Sequence, residues 1–214
     1  MEPADLVEYY RRRAREYEAI YAKPERQTDL ALLRTLIPER LRGARVLEIA
    51  CGTGYWTQLI AQAAASVLAT DLAEEPMRIA EAKSYPGNVA FRSADAYALQ
   101  GLGRFDAAFA GFWWSHVPRG RIEAFLASLH GCLESGARVV MFDNRYVPGS
   151  STPIHSLDAE GNSYQLRRLG DGAEVRVLKN FPSEDEVRRR LSADAAQVSY
   201  REFEYYWLLE YRLR

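Results

Sequence analysis

Hydrophobic residues in the middle of the chain alternate between two spacings. Short apolar runs, such as those at 45–49 and 66–71, are each followed by a segment whose apolar residues recur at helical spacing. Strands that alternate with helices in this way are typical of a doubly wound α/β sheet with parallel strands. The predicted strands cover 45–49, 66–71, 89–92, 105–110 and 137–142, and the predicted helices between them cover 55–65, 74–83 and 121–133.

The N-terminal part of the chain predicts two amphipathic helices, one over 5–21 and one that begins after the N-cap residue Thr28. The first helix has an aromatic face that includes Tyr10 and Tyr17. Aromatic residues at helical spacing usually pack in a core, which is one interpretation. The other is a lid over a ligand site, in which Tyr17 contacts a cofactor while Tyr10 and Arg13 contact a substrate.

The last third of the chain follows a different pattern. Two strand-like runs flank Gly170-Asp171-Gly172, which predicts a β-hairpin. Ser183 precedes three acidic residues and predicts the start of a helix, and two antiparallel strands are expected after it. The complete prediction is a seven-stranded, mostly parallel sheet with one antiparallel strand, an N-terminal helical lid and a hairpin insertion after strand five. The expected parts of this single domain are a lid at 1–42, a core at 43–143, an insertion at 144–182 and a final helix with strands at 183–214.

Composition is that of an ordinary globular domain. Hydrophobic residues make up 48% of the 214 positions and charged residues 27%, and the formal net charge is -1. Such a balance does not favour nucleic acid or an anionic membrane as a partner. No apolar run approaches the length of a membrane span. We therefore expect a cytoplasmic protein, monomeric or homodimeric, that acts on a small molecule.

Cysteine and histidine are too sparse for a metal centre. The two cysteines, Cys51 and Cys132, lack the spacing of a zinc motif, and the three histidines are scattered. The sequence predicts neither a disulfide framework nor a bound metal. Cys51 has no basic residue nearby in sequence to activate its thiol, so we expect it to fill space.

The most informative motif runs from Glu48 to Gly54 and reads Glu-Ile-Ala-Cys-Gly-Thr-Gly. A buried strand, a glycine turn and a helix start follow one another here, an arrangement that presents backbone N–H groups to a ligand. Gly52 and Gly54 allow the backbone to turn sharply and to approach a bound molecule closely. The motif predicts a ligand site at the end of the first sheet strand.

This motif resembles the first motif of the class I S-adenosylmethionine-dependent methyltransferases. The resemblance continues in register through Asp71, Asp95-Ala96 and Phe105-Asp106, and covers about residues 43 to 143. One departure is Ala50, which stands where many members have a glycine. The resemblance implies the doubly wound fold and S-adenosylmethionine as the cofactor.

It also implies roles for residues at the strand ends. The acid at position 48 and the glycine turn would hold the methionine moiety, and a carboxylate at position 71 can accept hydrogen bonds from both ribose hydroxyls. Leu72 and Met77 can pack on the adenine, although ordinary core packing explains them equally well. The candidate cofactor-binding residues are Glu48, Ala50, Gly52, Gly54, Asp71, Leu72, Met77, Asp95, Ala96 and Tyr17.

The candidate substrate residues follow the fourth and fifth strands. Trp113 and Trp114 can wall an apolar pocket or pack beneath the next helix. His116 is a candidate general base, but methyl transfer can proceed by alignment and desolvation alone. Arg145 can bind a carboxylate, and a plain loop role fits it as well.

We expect transfer of a methyl group from S-adenosylmethionine to an oxygen or nitrogen of a small molecule. An NAD(P)-dependent oxidoreductase is an alternative, since it also uses a glycine turn and a ribose-binding acid. Its third glycine would fall at Thr57, beside the bulky Trp56. A base-flipping nucleic-acid methyltransferase and an inactive cofactor-binding subunit are further alternatives. The inactive subunit predicts that Trp113 and Trp114 plug the site.

Overall fold

The computed structural model describes residues 3–170 and 172–214, which form ten strands and six α-helices. The strands are β1 (Arg45–Ile49), β2 (Ser66–Asp71), β3 (Val89–Ser93), β4 (Phe105–Gly111), β5 (Leu133–Asn144), β6 (Ile154–Leu157), β7 (Ser163–Arg168), β8 (Glu174–Leu178), β9 (Ala195–Glu202) and β10 (Tyr206–Leu213). The α-helices are α1 (Pro3–Arg13), α2 (Gln27–Arg40), α3 (Tyr55–Ala61), α4 (Glu74–Glu81), α5 (Ile122–His130) and α6 (Glu184–Leu191). Short 3-10 helices cover Ala14–Ala22, Pro24–Arg26, Trp114–His116 and Arg119–Arg121.

Seven strands form the main sheet in the order β3-β2-β1-β4-β5-β10-β9. The first five strands in this order pair in parallel, whereas β10 is antiparallel to both of its neighbours. The predicted mostly parallel sheet with one antiparallel strand is confirmed. Chain order reverses between β1 and β4, so a crevice opens beyond the carboxyl ends of these two strands.

Both faces of the main sheet are buried. Val46 packs on one face with residues of α2 and α3, and its neighbour Leu47 packs on the other face with residues of α5 and α6. Successive strand residues point to opposite faces. Burial on both sides explains why the strand sequences are continuously apolar. No helix within the described residues combines the length and hydrophobicity that crossing a bilayer requires.

The N-terminal arm (residues 3–26) is not the single α-helix predicted over 5–21. Helix α1 ends at Arg13, and a 3-10 helix continues from Ala14 to Ala22. With three residues per turn, a 3-10 helix aligns every third side chain. Ala14, Tyr17 and Ile20 therefore form one row, and this row faces the cavities described below.

β5 extends to Asn144, so the insertion covers residues 145–182 where 144–182 was predicted, and it contains one strand more than predicted. The predicted hairpin is present as β7 and β8, and β6 adds a third antiparallel strand. β6 has four mostly exposed residues, so no hydrophobic alternation marks it in the sequence. Asp171, the centre of the predicted turn, lies outside the described residues. Ser183 caps α6 as predicted, and its hydroxyl accepts the N–H of Glu186 at 3.2 Å.

Candidate functional site

The glycine turn after β1 adopts backbone angles that disfavour most side chains. Ala50 has φ 53°, Gly52 has φ 56° and Gly54 has φ 77°. A methyl group added to Gly52 would meet no atom within 4 Å, so the turn faces open space there. Ala50, the departure from the family motif, occupies the left-handed region that glycine adopts without strain. The turn thus keeps its shape despite the substitution.

Asp71, at the end of β2, holds this turn in place. Its two carboxylate oxygens accept the N–H groups of Gly52 and Ala73, both at 2.8 Å. Burial raises the pKa of Asp71, and these backbone donors partly offset the effect. Each oxygen can still accept another hydrogen bond. Asp71 is therefore both a brace for the turn and a free acceptor beside it.

A cavity of about 300 Å³ lies beyond the carboxyl ends of β1, β2 and β4; we call it the first cavity. Ten of the predicted site residues line it. They are Tyr10, Tyr17, Ala50, Gly52, Asp71, Leu72, Asp95, Ala96, Trp113 and His116. Trp113 lines this space rather than plugging it against the tyrosines, which removes the feature that would mark an inactive subunit. The residues that the sequence did not single out include Arg121, whose guanidinium lies 3.7 Å from the centre of the Tyr97 ring.

Glu48 is not among the residues that line the first cavity. Its side chain is 1% exposed, and its Oε2 atom has no hydrogen-bond partner within the described chain. Burial raises the pKa of Glu48 to about 8, helped by the nearby charge of Asp71. Ile49 lines the first cavity in place of Glu48, because alternate strand residues face opposite sides, and a role of Glu48 toward the cofactor stays a prediction.

Two other predicted cofactor residues lie outside the first cavity. A Cβ atom at Gly54 would lie 2.5 Å from the Tyr85 hydroxyl and 2.8 Å from the Ala80 Cβ atom, so this glycine permits close packing of the turn on α4. Met77 does not line the cavity, whereas its neighbour Pro76 does. Met77 is half-buried on α4 and lines neither cavity.

Two predicted substrate residues are also elsewhere. Trp114 is 3% exposed and packs edge-on against Trp207 in the core, which is the packing alternative for this residue. Arg145 donates to the carbonyl oxygen of Phe203 at 2.5 Å and pairs with Glu202 at 3.0 Å. Arg145 lines neither cavity, because it turns away along β9 and β10.

A second cavity of about 320 Å³ adjoins the first between the N-terminal arm and the insertion. Tyr10, Tyr17, Phe112 and His116 line both spaces. The second cavity is strongly basic, and no carboxylate lies among the described residues that line it. Its cationic residues are Arg13, Lys23, Arg26, Arg167, Arg168 and Lys179. Of these, the sequence singled out Arg13 alone.

Arg13 and Arg167 reach the same oxygen from two different elements. Arg13 of α1 donates to the Tyr9 hydroxyl at 2.6 Å, and Arg167 of β7 donates to it at 3.3 Å. Neither guanidinium has a carboxylate partner within 4.0 Å in the described chain. Arg167 also donates to the amide oxygen of Gln165 at 2.8 Å, so both guanidinium groups are held without a carboxylate and keep their capacity to attract an anion.

Lys179 follows β8 and is buried beside the end of β5. Its ammonium donates to Ser115 Oγ at 2.6 Å and to Asp143 Oδ1 at 2.9 Å. Burial lowers the pKa of Lys179 to about 8, with Arg167 adding to the effect and Asp143 opposing it. Burial opposes ionisation of Asp143, but Lys179 and the neighbouring donors hold the pKa of that carboxyl below its ordinary value. The pair thus places a cation, titratable near neutral pH, on the wall of the second cavity.

His116 lies where the two cavities meet, and the residue is 5% exposed. Its Nδ1 atom lies 2.7 Å from the carbonyl oxygen of Leu178, which can only accept, so Nδ1 carries the proton. Its Nε2 atom therefore accepts from the Tyr10 hydroxyl, also at 2.7 Å. Burial, with Lys179 next in effect, holds the pKa of His116 well below its ordinary value.

The segment after β8 is joined to the loop after β4 by several hydrogen bonds. Asn180 donates its backbone N–H to Ser115 at 2.8 Å and its side-chain amide to Val117 at 3.1 Å. Together with the bond between His116 and Leu178, these contacts form what we call the clip, residues 178–180 against 115–117. The clip carries Lys179 and His116 on its two sides. The sequence carries no signal for the clip, because the burial of Lys179 is apparent only in the structure.

Comparisons with known proteins find a family model, solved structures and relatives that resemble this chain. A family model described as a methyltransferase domain matches residues 46–136. The structure of a DhpI–SAM–HEP complex is 30% identical with a TM-score of 0.81, and that of a DhpI–SAH complex is 31% identical with a TM-score of 0.78; each alignment covers 98% of this chain and 96% of the other. A magnesium-protoporphyrin O-methyltransferase of Rhodobacter capsulatus is 35% identical over 40% of this chain and 39% of its own length.

A more distant relative has a different acceptor. A probable 18S rRNA (guanine-N(7))-methyltransferase of Dictyostelium discoideum is 25% identical over 72% of this chain. The chain spans 53% of that protein and less of the magnesium-protoporphyrin enzyme.

Proposed function

We propose that this chain, which belongs to the class I S-adenosylmethionine-dependent methyltransferases, transfers a methyl group from S-adenosylmethionine to an anionic oxygen of a small acceptor. The observation that carries the proposal is the pair of adjoining cavities. One has a glycine turn and two carboxylates, the other has six cations, and they meet at Tyr10, Tyr17, Phe112 and His116.

The first cavity suits S-adenosylmethionine. The open space at Gly52 lets a ligand approach the backbone, and the free lone pairs of Asp71 can accept the ribose hydroxyls. Asp95 and Ala96 would meet the adenine. When bound, the cofactor supplies a methyl group on a sulfonium, and the electron pair of the broken C–S bond stays on sulfur. The aromatic rings at the junction favour such a cation and keep water from it.

The second cavity suits an anionic acceptor. Arg13, Arg167 and Lys179 surround it from three elements, so an anion there would be held by charge-assisted hydrogen bonds. The names of relatives such as the magnesium-protoporphyrin O-methyltransferase support oxygen as the methylated atom. The acceptor class that these side chains recognise is a carboxylate, phosphate or phosphonate.

An oxyanion needs no general base, and His116 is poorly placed to be one. Its free nitrogen lone pair already accepts the Tyr10 hydroxyl, and its low pKa makes the ring a weak base. We assign His116 to holding Tyr10, so that the phenol proton points at the imidazole rather than at the acceptor. The contribution of the protein is then alignment of the two reactants and exclusion of water.

The test is methyl transfer from labelled S-adenosylmethionine to matched acceptors. Alkyl carboxylates, alkyl phosphates and alkylphosphonates are each paired with an uncharged alcohol of the same size. Label should pass to at least one anionic class and not to its uncharged partner. Transfer to RNA alone, or only to uncharged amines, would overturn the proposal. Calorimetric binding of NADH without binding of S-adenosylmethionine would overturn it as well and would favour an oxidoreductase.

A further inference from the structure

Glu18 ties the N-terminal arm to the glycine turn. Its Oε1 atom accepts the Thr53 hydroxyl at 2.7 Å and the Lys83 ammonium at 2.5 Å. Thr53 stands between the two glycines of the turn and is 2% exposed, while Lys83 follows α4. One carboxylate thus connects the arm, the turn and the end of α4.

The residues around Glu18 cover the first cavity. Ala14 and Tyr17, on the same 3-10 helix, line this cavity together with Tyr10 of α1. The far end of the arm is fixed separately, because Arg26 is buried and donates to Asn144 at 2.9 Å and to Ser150 Oγ at 3.0 Å. Tyr21 stacks on Tyr55 with 3.8 Å between ring centres. The arm is therefore anchored at 21–26 and fastened over the cavity by Glu18.

We propose that Glu18 is a positioning residue that sets the rate at which the cofactor enters and leaves the first cavity. This inference rests on the proposed function, since it takes the ligand of that cavity to be S-adenosylmethionine and its product. A ligand in the first cavity would lie against Tyr10, Ala14 and Tyr17, so lifting this part of the arm would widen its exit, and lifting breaks both bonds of Glu18. Glu18 touches neither reactant, and it lines neither cavity.

The chemistry of the tie predicts how it responds to salt. The side chains of Glu18 and Lys83 are 41% and 20% exposed, so their attraction is partly screened by dissolved ions. The hydrogen bond from the neutral Thr53 hydroxyl is much less sensitive to salt. Release of the cofactor should accelerate with ionic strength in the native protein and lose most of this dependence when the charge of Glu18 is removed.

The experiment measures dissociation of S-adenosylhomocysteine by stopped-flow displacement with excess S-adenosylmethionine, followed by tryptophan fluorescence. Glu18→Gln and Lys83→Gln should each raise the dissociation rate about two- to fivefold, and Glu18→Ala should raise it further. The double variant Glu18→Gln with Lys83→Gln should release S-adenosylhomocysteine no faster than either single variant, because each single change already breaks the ion pair. Glu16→Gln removes the same charge from an exposed position on the same helix and should leave the rate unchanged.

Two results would overturn the inference. One is a Glu18→Ala dissociation rate equal to that of Glu16→Gln. The other is additive effects of Glu18→Gln and Lys83→Gln, which would mean that the two residues act separately. If the native protein bound neither cofactor form, the proposed function itself would fail and the gating role with it. Hydrogen exchange of the arm in the ligand-free protein distinguishes these cases, because loss of the tie alone should speed exchange in Glu18→Ala whatever the ligand is.

Discussion

The Tyr10 hydroxyl and the His116 Nε2 atom lie 2.7 Å apart at the boundary between the two cavities. Because Nδ1 of the same ring donates to Leu178, the imidazole orients the phenol and has no lone pair left for a substrate proton. A histidine at a strand end suggests a general base when only the sequence is known. The structure favours a residue that orients its neighbour.

Replacement of His116 should affect the rate without changing its pH dependence. His116→Gln keeps an oxygen that can accept from Tyr10, so we expect at most about a tenfold loss of kcat, whereas His116→Phe should lose about 10²-fold. The kcat of the native enzyme should be flat from pH 6 to pH 8. If kcat of the native enzyme instead fell tenfold per pH unit toward acid, and this fall were absent in His116→Gln, His116 would be identified as the base.

Acceptor binding should weaken in alkaline solution. The pKa of Lys179 is lowered to about 8, so its ammonium is present below that pH and is lost above it. We expect kcat/KM for the anionic acceptor to fall tenfold per pH unit above about pH 8, while the Kd of S-adenosylhomocysteine stays constant. Lys179→Met alone would leave the buried Asp143 unpaired at a cost of about 3–5 kcal/mol. The suitable variant is therefore Lys179→Met with Asp143→Asn, which should lack the inflection. An unchanged alkaline limb in this double variant would assign the titration to another group.

Arg167 and Arg145 provide a matched pair of arginine substitutions. Arg167→Gln removes a cation from the second cavity and should raise KM for the acceptor by about 10- to 100-fold, with little change in KM for S-adenosylmethionine. Arg145→Gln removes the same charge from outside both cavities and should leave both constants within about twofold. Steady-state kinetics with each reactant varied in turn gives the comparison. Equal effects of the two substitutions would mean that only overall charge matters.

The buried carboxyl of Glu48 should make the fold less stable as pH rises. In the unfolded chain this group loses its proton near pH 4.5, but in the folded protein it does so only near pH 8. The stability that the neutral group provides is thus complete below pH 4.5 and is lost as pH approaches 8. Denaturant titration should give Glu48→Gln a larger free energy of unfolding than the native protein. The difference should grow by about 1–3 kcal/mol between pH 5 and pH 8. The exposed Glu81→Gln is the control, and a margin independent of pH would show that Glu48 ionises normally.

Local patterns in the sequence were sufficient for the central sheet. The run at 45–49, the turn at Gly52 and the carboxylate of Asp71 all lie within one strand–turn–helix unit and its neighbour, where spacing along the chain determines position in space. The cofactor contact of Glu48 stays a prediction, because Ile49 rather than Glu48 lines the first cavity and spacing along a strand does not tell which of its two sides faces a ligand. Arg167 and Lys179 were missed for another reason: they reach the site through β7 and β8, whose position over the sheet depends on contacts between distant segments. Likewise, nothing in the arm's spacing distinguishes an α-helix from the 3-10 turn that aligns Tyr17 with Ala14.

The clip has a consequence for attempts to re-engineer this scaffold. Leu178 and Asn180 form hydrogen bonds with the loop after β4. The insertion therefore cannot be exchanged between proteins by cutting only at its two ends. A chimera that imports another protein's insertion would keep the Nδ1 hydrogen bond of His116 only if the imported backbone placed a carbonyl oxygen at the position of Leu178. Recombination points that preserve residues 115–117 and 178–180 from one parent should give folded hybrids, and points that separate them should not. To transfer acceptor preference to another protein, residues 115–117 and 178–180 would then have to be moved together.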